Sequence, residues 1–211
     1  MSSPWWPLAD LRLTTPEIEL RPLSEADLPE LVAILPDDLE QNPAAVRYDV
    51  GRRTQRDITM AQGYWGSRGS WRPDAWNLMF AVRLGGRLIG AQSLEAQDFA
   101  ALRVVDSWSF LATDSRGRGL GKQMRRAVLV LAFGPLAAES AVTSAWHDNQ
   151  ASLGVSRSLG YRDNGVSVHR RDGARGIIAH LRMTRAEWHR TDLAEDIEIE
   201  GFEACKPIFG I

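Results

Sequence analysis

The segment with the clearest chemical content is the loop DSRGRGLGK at residues 114–122, in which glycines alternate with cationic side chains. Glycine allows backbone N–H groups to approach an anion closely, and Arg116, Arg118 and Lys122 add positive charge around them. The loop lies between an apolar run and an amphipathic helical pattern, where the positive end of a helix would add to the attraction. The pattern therefore predicts a site for a phosphate-bearing ligand.

Two common phosphate-binding loops do not match this segment. A P-loop, G-x-x-x-x-G-K-[ST], requires glycine at position 116 and a hydroxyl group at position 123, where the chain has Arg116 and Gln123. A dinucleotide fingerprint, G-x-G-x-x-G, opens a βαβ unit, whereas the glycines here are evenly spaced and follow an antiparallel meander. Neither class of nucleotide site is favoured.

A third pattern does match. Residues 116–121 have the form R-x-x-G-x-G, and NQASLGV at 149–155 with SLGY at 158–161 has the form N-x-x-[SA]…L-G-[FY]. Both motifs follow predicted strands and occur in the expected order. By them the chain resembles the GNAT superfamily of N-acetyltransferases. The layout from IELRPLSEADL to LRMTRAEW, which ends at Trp188, is similar to the RimJ/RimL-type branch, whose members acylate protein N-termini, amino sugars or small amines.

The resemblance implies an acyl-coenzyme A donor and an amine acceptor. The diphosphate of coenzyme A would lie on the loop residues Arg116, Gly117, Arg118, Gly119, Leu120, Gly121 and Lys122. The side chain of Asn149 would contact the pantetheine arm, besides capping a helix, and backbone N–H groups at Phe110, Leu111 and Ala112, on a splayed strand edge, would face the thioester oxygen. Acetyl-CoA is the usual donor of the family. Succinyl-CoA is a narrower implication, because WPLADLR, VDSWSFL, VSRSLGYRDNG and GFEACKPIFG are similar to a mycobacterial member described as succinyl-CoA-dependent.

The resemblance also indicates two catalytic candidates. Asp106 lies about where some family members carry a catalytic carboxylate, and a general base there needs a pKa raised by burial near Trp108. The alternative is an exposed aspartate at a strand end. Ser152 is the candidate for contact with the leaving sulfur; alternatively, its side chain faces water from the first turn of a helix. Tyr161 either contacts the sulfur in place of Ser152 or packs in the core.

A succinyl group would require a cation for its distal carboxylate. We name Arg103, or one of Arg52, Arg53 and Arg56, as the candidates.

The chain is predicted to form one α/β (α+β) domain over residues 1–211, with a GNAT core at about 16–188 and a C-terminal extension at about 189–211. Its mostly antiparallel, mixed sheet would be flanked by helices and contain one splayed strand pair. Helical spacing predicts helices at 28–35, 54–65, 119–133 and 149–159, with a glycine-serine loop at 66–70. Strands are predicted at 18–23, 77–84, 87–94, 104–112, 141–146, 161–170 and 176–183, the last two joined by a turn at Asp172-Gly173.

Composition excludes several other classes. A net charge of −2 and a pI near 6.1 argue against a nucleic-acid coat protein. A single cysteine, Cys205, excludes an internal disulfide framework, and four scattered histidines predict no metal site. No signal peptide or membrane-spanning run is evident, so we expect a cytoplasmic protein. The apolar C-terminal segment either packs on its own domain or on a second subunit, and we predict a homo-oligomer. The rival functional class is a CoA-binding module without catalysis.

Overall fold

The computed structural model describes residues 5–39, 45–171 and 173–211, and its strands form two adjoining sheets. The first sheet is antiparallel, in the order β10-β1-β2-β3-β4-β6, with bounds Arg12–Thr14 (β1), Ile18–Pro22 (β2), Trp76–Leu84 (β3), Arg87–Ala96 (β4), Ser109–Leu111 (β6) and Glu198–Glu200 (β10). The second has the order β5-β7-β9-β8, with bounds Val104–Val105 (β5), Ser140–Trp146 (β7), Arg162–Arg171 (β8) and Ala174–Thr184 (β9). β5 and β7 are parallel.

Helices cover both faces of the first sheet, which confirms the predicted mixed fold. Their bounds are Leu28–Ala33 (α1), Arg52–Gly69 (α2), Phe99–Leu102 (α3), Leu120–Phe133 (α4), Gln150–Ser158 (α5), Arg185–Trp188 (α6) and Phe202–Phe209 (α7). The larger core joins α4 to the face of the sheet that carries Leu78, Phe80 and Leu94. The smaller core lies on the opposite face, where Leu31 of α1 and Tyr64 of α2 pack against Phe110.

Several local predictions are confirmed. Ser24 and Asp27 form the predicted capping box, with the Ser24 N–H donating to Asp27 Oδ2 at 2.8 Å. Gly85 and Gly86, both at positive φ, turn β3 into β4, and Gly160 follows α5 with φ of 99°. β8 and β9 form the closing antiparallel pair; Asp172 of their predicted turn lies outside the described residues.

Two predicted elements are corrected by the structure. α2 does not end near Trp65 but continues through the glycine-serine segment to Gly69, where the Gly66 carbonyl accepts the N–H and the hydroxyl of Ser70. The predicted strand 104–112 is divided into β5 and β6. The division arises at Trp108, whose N–H donates to the Ser93 hydroxyl at 3.0 Å.

The C-terminal segment packs on its own domain. β10 pairs with β1, and α7 places Phe209 against Trp76 and Trp71, at ring-centroid distances of 5.0 and 5.4 Å. The Trp71 indole N–H also donates to the Ile208 carbonyl at 3.0 Å. Of the two placements predicted for this segment, the structure therefore shows the intramolecular one.

The pairing of β4 with β6 depends on a glycine. A Cβ at Gly90 would lie 2.2 Å from the Phe110 carbonyl oxygen and 3.1 Å from Leu111 Cα, so no other residue allows the two backbones to approach this closely. We expect Gly90→Ala to lower the free energy of unfolding by about 2 kcal/mol or more, because backbone atoms have to move apart. Urea denaturation measures this change.

The matched control is Gly63→Ala in α2, where the added methyl group meets no atom within 4 Å. Alanine is the better helix former, so this variant should gain up to about 1 kcal/mol. Equal effects of the two substitutions would contradict the close approach at Gly90.

Candidate functional site

The two sheets separate at one point, which we call the splay: the gap between β6 and residues 144–146 of β7. β5 pairs with the start of β7 through Val104 and Val105, and the Thr143 hydroxyl then donates to the Ser107 carbonyl at 3.3 Å. Beyond this contact β6 pairs with β4 and β7 pairs with β9 in the part of the chain that the structure describes. The splay is thus closed at Thr143 and open toward the end of β6.

The ladder with β4 decides which backbone groups of β6 face the splay. The Asp106 and Ala112 N–H groups donate to β4, to the carbonyls of Glu95 and Ile89 at 2.8 Å each. In an antiparallel strand every second residue bonds to the same neighbouring strand, so the Phe110 N–H also points to β4. The N–H groups of Ser109 and Leu111 point the opposite way, toward the splay. Of the three N–H groups predicted to face the thioester oxygen, that of Leu111 points into the splay, as does that of Ser109, whereas those of Phe110 and Ala112 point to β4. Contact of any of them with a donor stays a prediction.

The loop after β6 has the backbone geometry of an anion site. Gly117 and Gly119 have φ of 72° and 79°, a region that residues with a Cβ rarely adopt. Gly119 caps α4, so the N–H groups of Leu120 and Gly121 have no intrahelical acceptor. Within the described residues no backbone hydrogen bond uses the N–H groups of residues 117–121. Unpaired backbone donors at the start of a helix are suited to bind a diphosphate such as that of coenzyme A.

The Arg116 side chain forms an ion pair within the protein. Its guanidinium forms a bidentate pair with Asp38, at 2.6 and 2.8 Å, and its Nε donates to the Leu111 carbonyl at 3.3 Å. This pairing lowers the pKa of Asp38 and raises that of Arg116. Arg116 thus joins the loop to the segment after α1. Its predicted contact with a diphosphate stays a prediction, as do those of Arg118 and Lys122. Neither of these two side chains forms an ion pair with any residue that the structure describes.

The N-terminus of α5 lies beside the loop. A Cβ at Gly121 would lie 3.7 Å from Leu111 Cδ1 and 3.8 Å from Val155 Cγ2, so strand edge, loop and α5 meet at this glycine. Asn149 caps α5, because its Oδ1 accepts the Ser152 N–H at 3.1 Å. Its amide NH₂ group is a separate donor, so capping leaves it able to bind a pantetheine carbonyl. Ser152 is half-buried on the same turn.

Asp106 is half-buried rather than exposed, and it lies beside a second carboxylate that the sequence analysis missed. Asp106 and Glu95 form a mutual backbone bridge and so share one face of the sheet, the face of Phe110, α1 and α2. Burial raises the pKa of Asp106, although the Ser107 N–H, Arg125 and His180 oppose the rise. Burial and the charge of Asp106 likewise raise the pKa of Glu95. The sequence did contain a signal for Glu95, because it is an acidic residue within the otherwise mostly apolar strand RLIGAQSLEA.

The remaining sequence candidates lie away from the splay or behind it. Tyr161 is fully buried, and burial raises its pKa to about 12, so it packs behind the site. Arg103 lies over the Phe99 ring at 5.1 Å. Arg53 donates to the Val32 carbonyl within α1, and Arg56 donates to the Pro36 carbonyl after that helix. Arg52 is an exposed first residue of α2. None of these arginines lies in the splay.

The described residues contain neither a candidate metal centre nor a candidate membrane-spanning helix. Among the residues with a described placement, no group of three or more His, Cys, Asp or Glu side chains could hold a metal ion. In the same part of the chain, no helix is long and apolar enough to cross a membrane.

Comparison with known families bears directly on this arrangement. The profile of the family described as "Acetyltransferase (GNAT) domain" matches residues 17–162. The chain belongs to the GNAT acetyltransferase family. This confirms the predicted family, and the matched range contains the splay, the loop and the start of α5.

Solved GNAT structures share the fold. RimJ of Mycobacterium smegmatis in complex with CoA-disulfide has a TM-score of 0.72 and 20% identity, over 91% of this chain and 98% of that one. RimL, a ribosomal L7/L12 α-N-protein acetyltransferase in complex with coenzyme A, has a TM-score of 0.64 and 18% identity, over 81% and 95%. The spermidine/spermine N-acetyltransferase SpeG of Vibrio cholerae has a TM-score of 0.62 and 13% identity, over 82% and 98%. The first two match the predicted RimJ/RimL-type layout.

The backbone of the loop provides a first test of CoA binding. We expect Gly119→Val to weaken CoA binding at least about tenfold, because valine disfavours the positive φ that aims the loop amides. The matched control is Gly165→Val on β8, which also has positive φ and open space, but is separated from β7 by β9. Titration calorimetry with CoA should show near wild-type affinity for the control. Equal losses in both variants would contradict the loop site.

The buried carboxyl group of Asp106 provides a second test. Its folded pKa is raised above the ordinary value of 3.8, so the folded state is most favoured below that pH, and stability is lost as pH rises through the folded pKa. Asp106→Asn keeps the acceptor for the Ser107 N–H but loses the charge. At pH 7 it should therefore be more stable than wild type, by on the order of 1 kcal/mol.

Glu187→Gln is a control of opposite sign, because capping bonds from Thr184 lower the pKa of Glu187. Its destabilisation should be present at pH 7 and disappear as the pH falls through the lowered folded pKa. Chemical denaturation between pH 3 and 7 measures both variants. An Asp106→Asn stability difference that is independent of pH would contradict the burial of this charge.

Proposed function

We propose that this protein is an acyl-CoA-dependent N-acyltransferase that transfers an acetyl or succinyl group to a primary amine by direct attack. One observation carries the proposal: residues 109–121 form a continuous segment with unpaired N–H groups at both ends. Ser109 and Leu111 offer donors at the strand edge, and residues 117–121 offer donors at the loop. This segment provides sites for both the thioester and the diphosphate of one extended donor.

The residues around the splay support the following division of roles. The strand-edge N–H groups bind the thioester oxygen and stabilise the negative charge that develops on it. The amine nitrogen bonds to the acyl carbon as the carbon–sulfur bond breaks. Asp106, with Glu95 beside it, accepts the proton that leaves the nitrogen, directly or through water, and a proton is returned to the sulfur. The Ser152 hydroxyl stabilises the leaving thiolate by hydrogen bonding. The products are an amide and free CoA.

The acceptor class follows from the cleft on the Asp106 face. Two carboxyl groups lie side by side on the face that α1 and α2 also cover, and such a pair suits an amine that is protonated in its resting state. The names of RimL and SpeG record a protein N-terminus and a polyamine as acceptors of those enzymes. Both contain primary amines, and for this protein we extend the proposal no further than that class.

An activity assay distinguishes the enzyme from a CoA-binding module without catalysis. The full-length protein is incubated with acetyl-CoA or succinyl-CoA and a panel of peptide, polyamine and small primary amines, and thiol release and amide mass are followed. We expect amine-dependent thiol release. CoA binding without amide formation by any amine of the panel would favour the non-catalytic alternative.

The Ser152 hydroxyl offers a chemical check within this assay. Ser152→Ala should lower kcat at least about tenfold, because one charge-assisted hydrogen bond to the thiolate is lost, while CoA affinity changes less than about twofold. Ser158→Ala is the matched control, since the Ser158 hydroxyl donates to the Val155 carbonyl on the exposed side of α5. An unchanged kcat in Ser152→Ala would remove this residue from the mechanism.

A further inference from the structure

Two histidines on neighbouring strands share one hydroxyl group. The Ser167 hydroxyl of β8 lies 2.7 Å from Nε2 of His169 on the same strand and 2.7 Å from Nε2 of His180 on β9. A hydroxyl group has one proton, so it donates to one imidazole nitrogen and accepts the N–H of the other. When both rings are neutral, they therefore hold opposite tautomers. The three groups form a hydrogen-bonded chain along which a proton can pass.

One end of this chain lies beside the splay. His180 pairs with Ser144, which belongs to the β7 side of the splay. Thr143 contacts Arg125 of α4, so the next residue, Ser144, and its partner His180 project from the opposite face, which is the face of Asp106. The charge of His180 opposes the rise in the pKa of Asp106, which also indicates that the two groups are near each other.

The other end of the chain reaches the surface. His180 and Ser167 are half-buried, whereas His169 is exposed. The His169 ring lies edge-on to the Trp146 ring at a centroid distance of 6.4 Å. Within the part of the chain that the structure describes, neither imidazole ring forms another hydrogen bond, so the Nδ1 atom of each ring is left to exchange a proton with a further group.

The proposed reaction requires a proton to leave the site. A protonated primary amine has three N–H protons, and the amide product retains one of them. Of the other two, one is equivalent to the proton that the sulfur gains, so each turnover releases one proton to solvent. An amine bound over Asp106 and Glu95 would itself cover these carboxyl groups, and the acyl donor would fill the splay. A path through the neighbouring strands avoids both ligands.

We propose that His180, Ser167 and His169 form a relay that carries the proton of the amine from Asp106 to solvent. The inference rests on the proposed function, in which Asp106 accepts that proton. Asp106 passes it to Nδ1 of His180, directly or through the Ser144 hydroxyl or water. His180 then gives its Nε2 proton to the Ser167 oxygen, Ser167 gives its own proton to Nε2 of His169, and His169 releases its Nδ1 proton to water.

The chemistry of the three side chains suits this role. One proton enters the relay and one leaves it, so the relay returns to its original net charge. Imidazole gains and loses protons near neutral pH, and its two nitrogens lie on different sides of the ring. In this arrangement the three side chains do not contact the substrate, because they act through Asp106.

Chemical rescue by imidazole tests the relay. The rate of amine-dependent thiol release is measured with the amine panel for wild type, His180→Gln and Ser167→Ala, without imidazole and with it. We expect kcat to fall at least about tenfold in each variant, because proton removal slows, while the affinity for CoA stays within about twofold of wild type. Added imidazole should raise kcat of both variants several-fold and leave that of wild type unchanged, because it carries the proton in place of the broken relay.

His189→Gln is the matched control, because His189 is exposed and bonds Arg185 at the end of α6. It should keep the wild-type kcat with and without imidazole. An unchanged kcat in either relay variant, or a lowered kcat that imidazole does not raise, would overturn the inference and leave the proposed function intact. Ser167→Ala decides the case if His180→Gln does not fold. If wild type releases no thiol with any amine of the panel, the proposed function itself is contradicted.

The hydrogen-bonded chain also has a signature that does not depend on catalysis. Long-range ¹H–¹⁵N NMR spectra of the ¹⁵N-labelled protein show which nitrogen of each imidazole carries the proton. At a pH where both rings are neutral, we expect Nε2–H in one of His169 and His180 and Nδ1–H in the other, and we expect Ser167→Ala to lose this difference. The same tautomer in both rings of wild type would contradict the relay.

Discussion

The site depends on the change of pairing partner along residues 104–112. Val104 and Val105 pair with β7, whereas Ser109–Leu111 pair only with β4 among the described strands. At this transition the Ser93 hydroxyl accepts the Trp108 N–H. The absence of a Cβ at Gly90 lets the Phe110 carbonyl approach the backbone of β4. Because of it, two backbone N–H groups in the middle of a folded domain are left without a strand partner. An edge of this kind is normally a liability, because its free N–H groups can bond another chain; in the proposed function the acyl donor bonds them instead.

The strand that borders the splay also separates two chemical environments. Successive side chains of a strand alternate between faces, so Asp106 lies with Glu95 on the α1–α2 side while Ser107 and Ser109 lie with Arg125 on the α4 side. The carboxyl pair is suited to accept a proton, whereas the Arg125 guanidinium bonds the hydroxyl groups of Ser109 and Thr143 on the other face.

Stability and function oppose each other in this region. The half-buried carboxyl groups of Asp106 and Glu95 and the buried guanidinium of Arg125 disfavour the folded state relative to apolar side chains, because each charge has lost part of its hydration. Their cost is offset by extensive packing elsewhere, including the cluster of Trp71, Trp76 and Phe209 that fixes the C-terminal helix on the domain. Buried charges that do not stabilise a protein are commonly found where it binds or reacts.

Much of the architecture was determined by local sequence. The loop at residues 114–122, the hairpin at Gly85-Gly86, the capping box at Ser24 and the closing β8–β9 pair depend on backbone preferences and short-range hydrogen bonds. Such features are present in a short stretch of chain, so the sequence by itself predicted them, together with the family. The extension of α2 through Gly66–Gly69 was missed, since glycine weakens a helix without forbidding it.

The chemistry of the site was decided by tertiary structure. Which N–H groups of residues 109–112 are free depends on the register with β4, and the role of Arg116 depends on Asp38, 78 positions away in the chain. In the sequence, Glu95 and Arg125 cannot be distinguished from ordinary polar residues. The fold places Glu95 beside Asp106 and buries Arg125 against Ser109 and Thr143. Burial and long-range pairing change the energy of a charge by several kcal/mol, and no local pattern of residues contains that information.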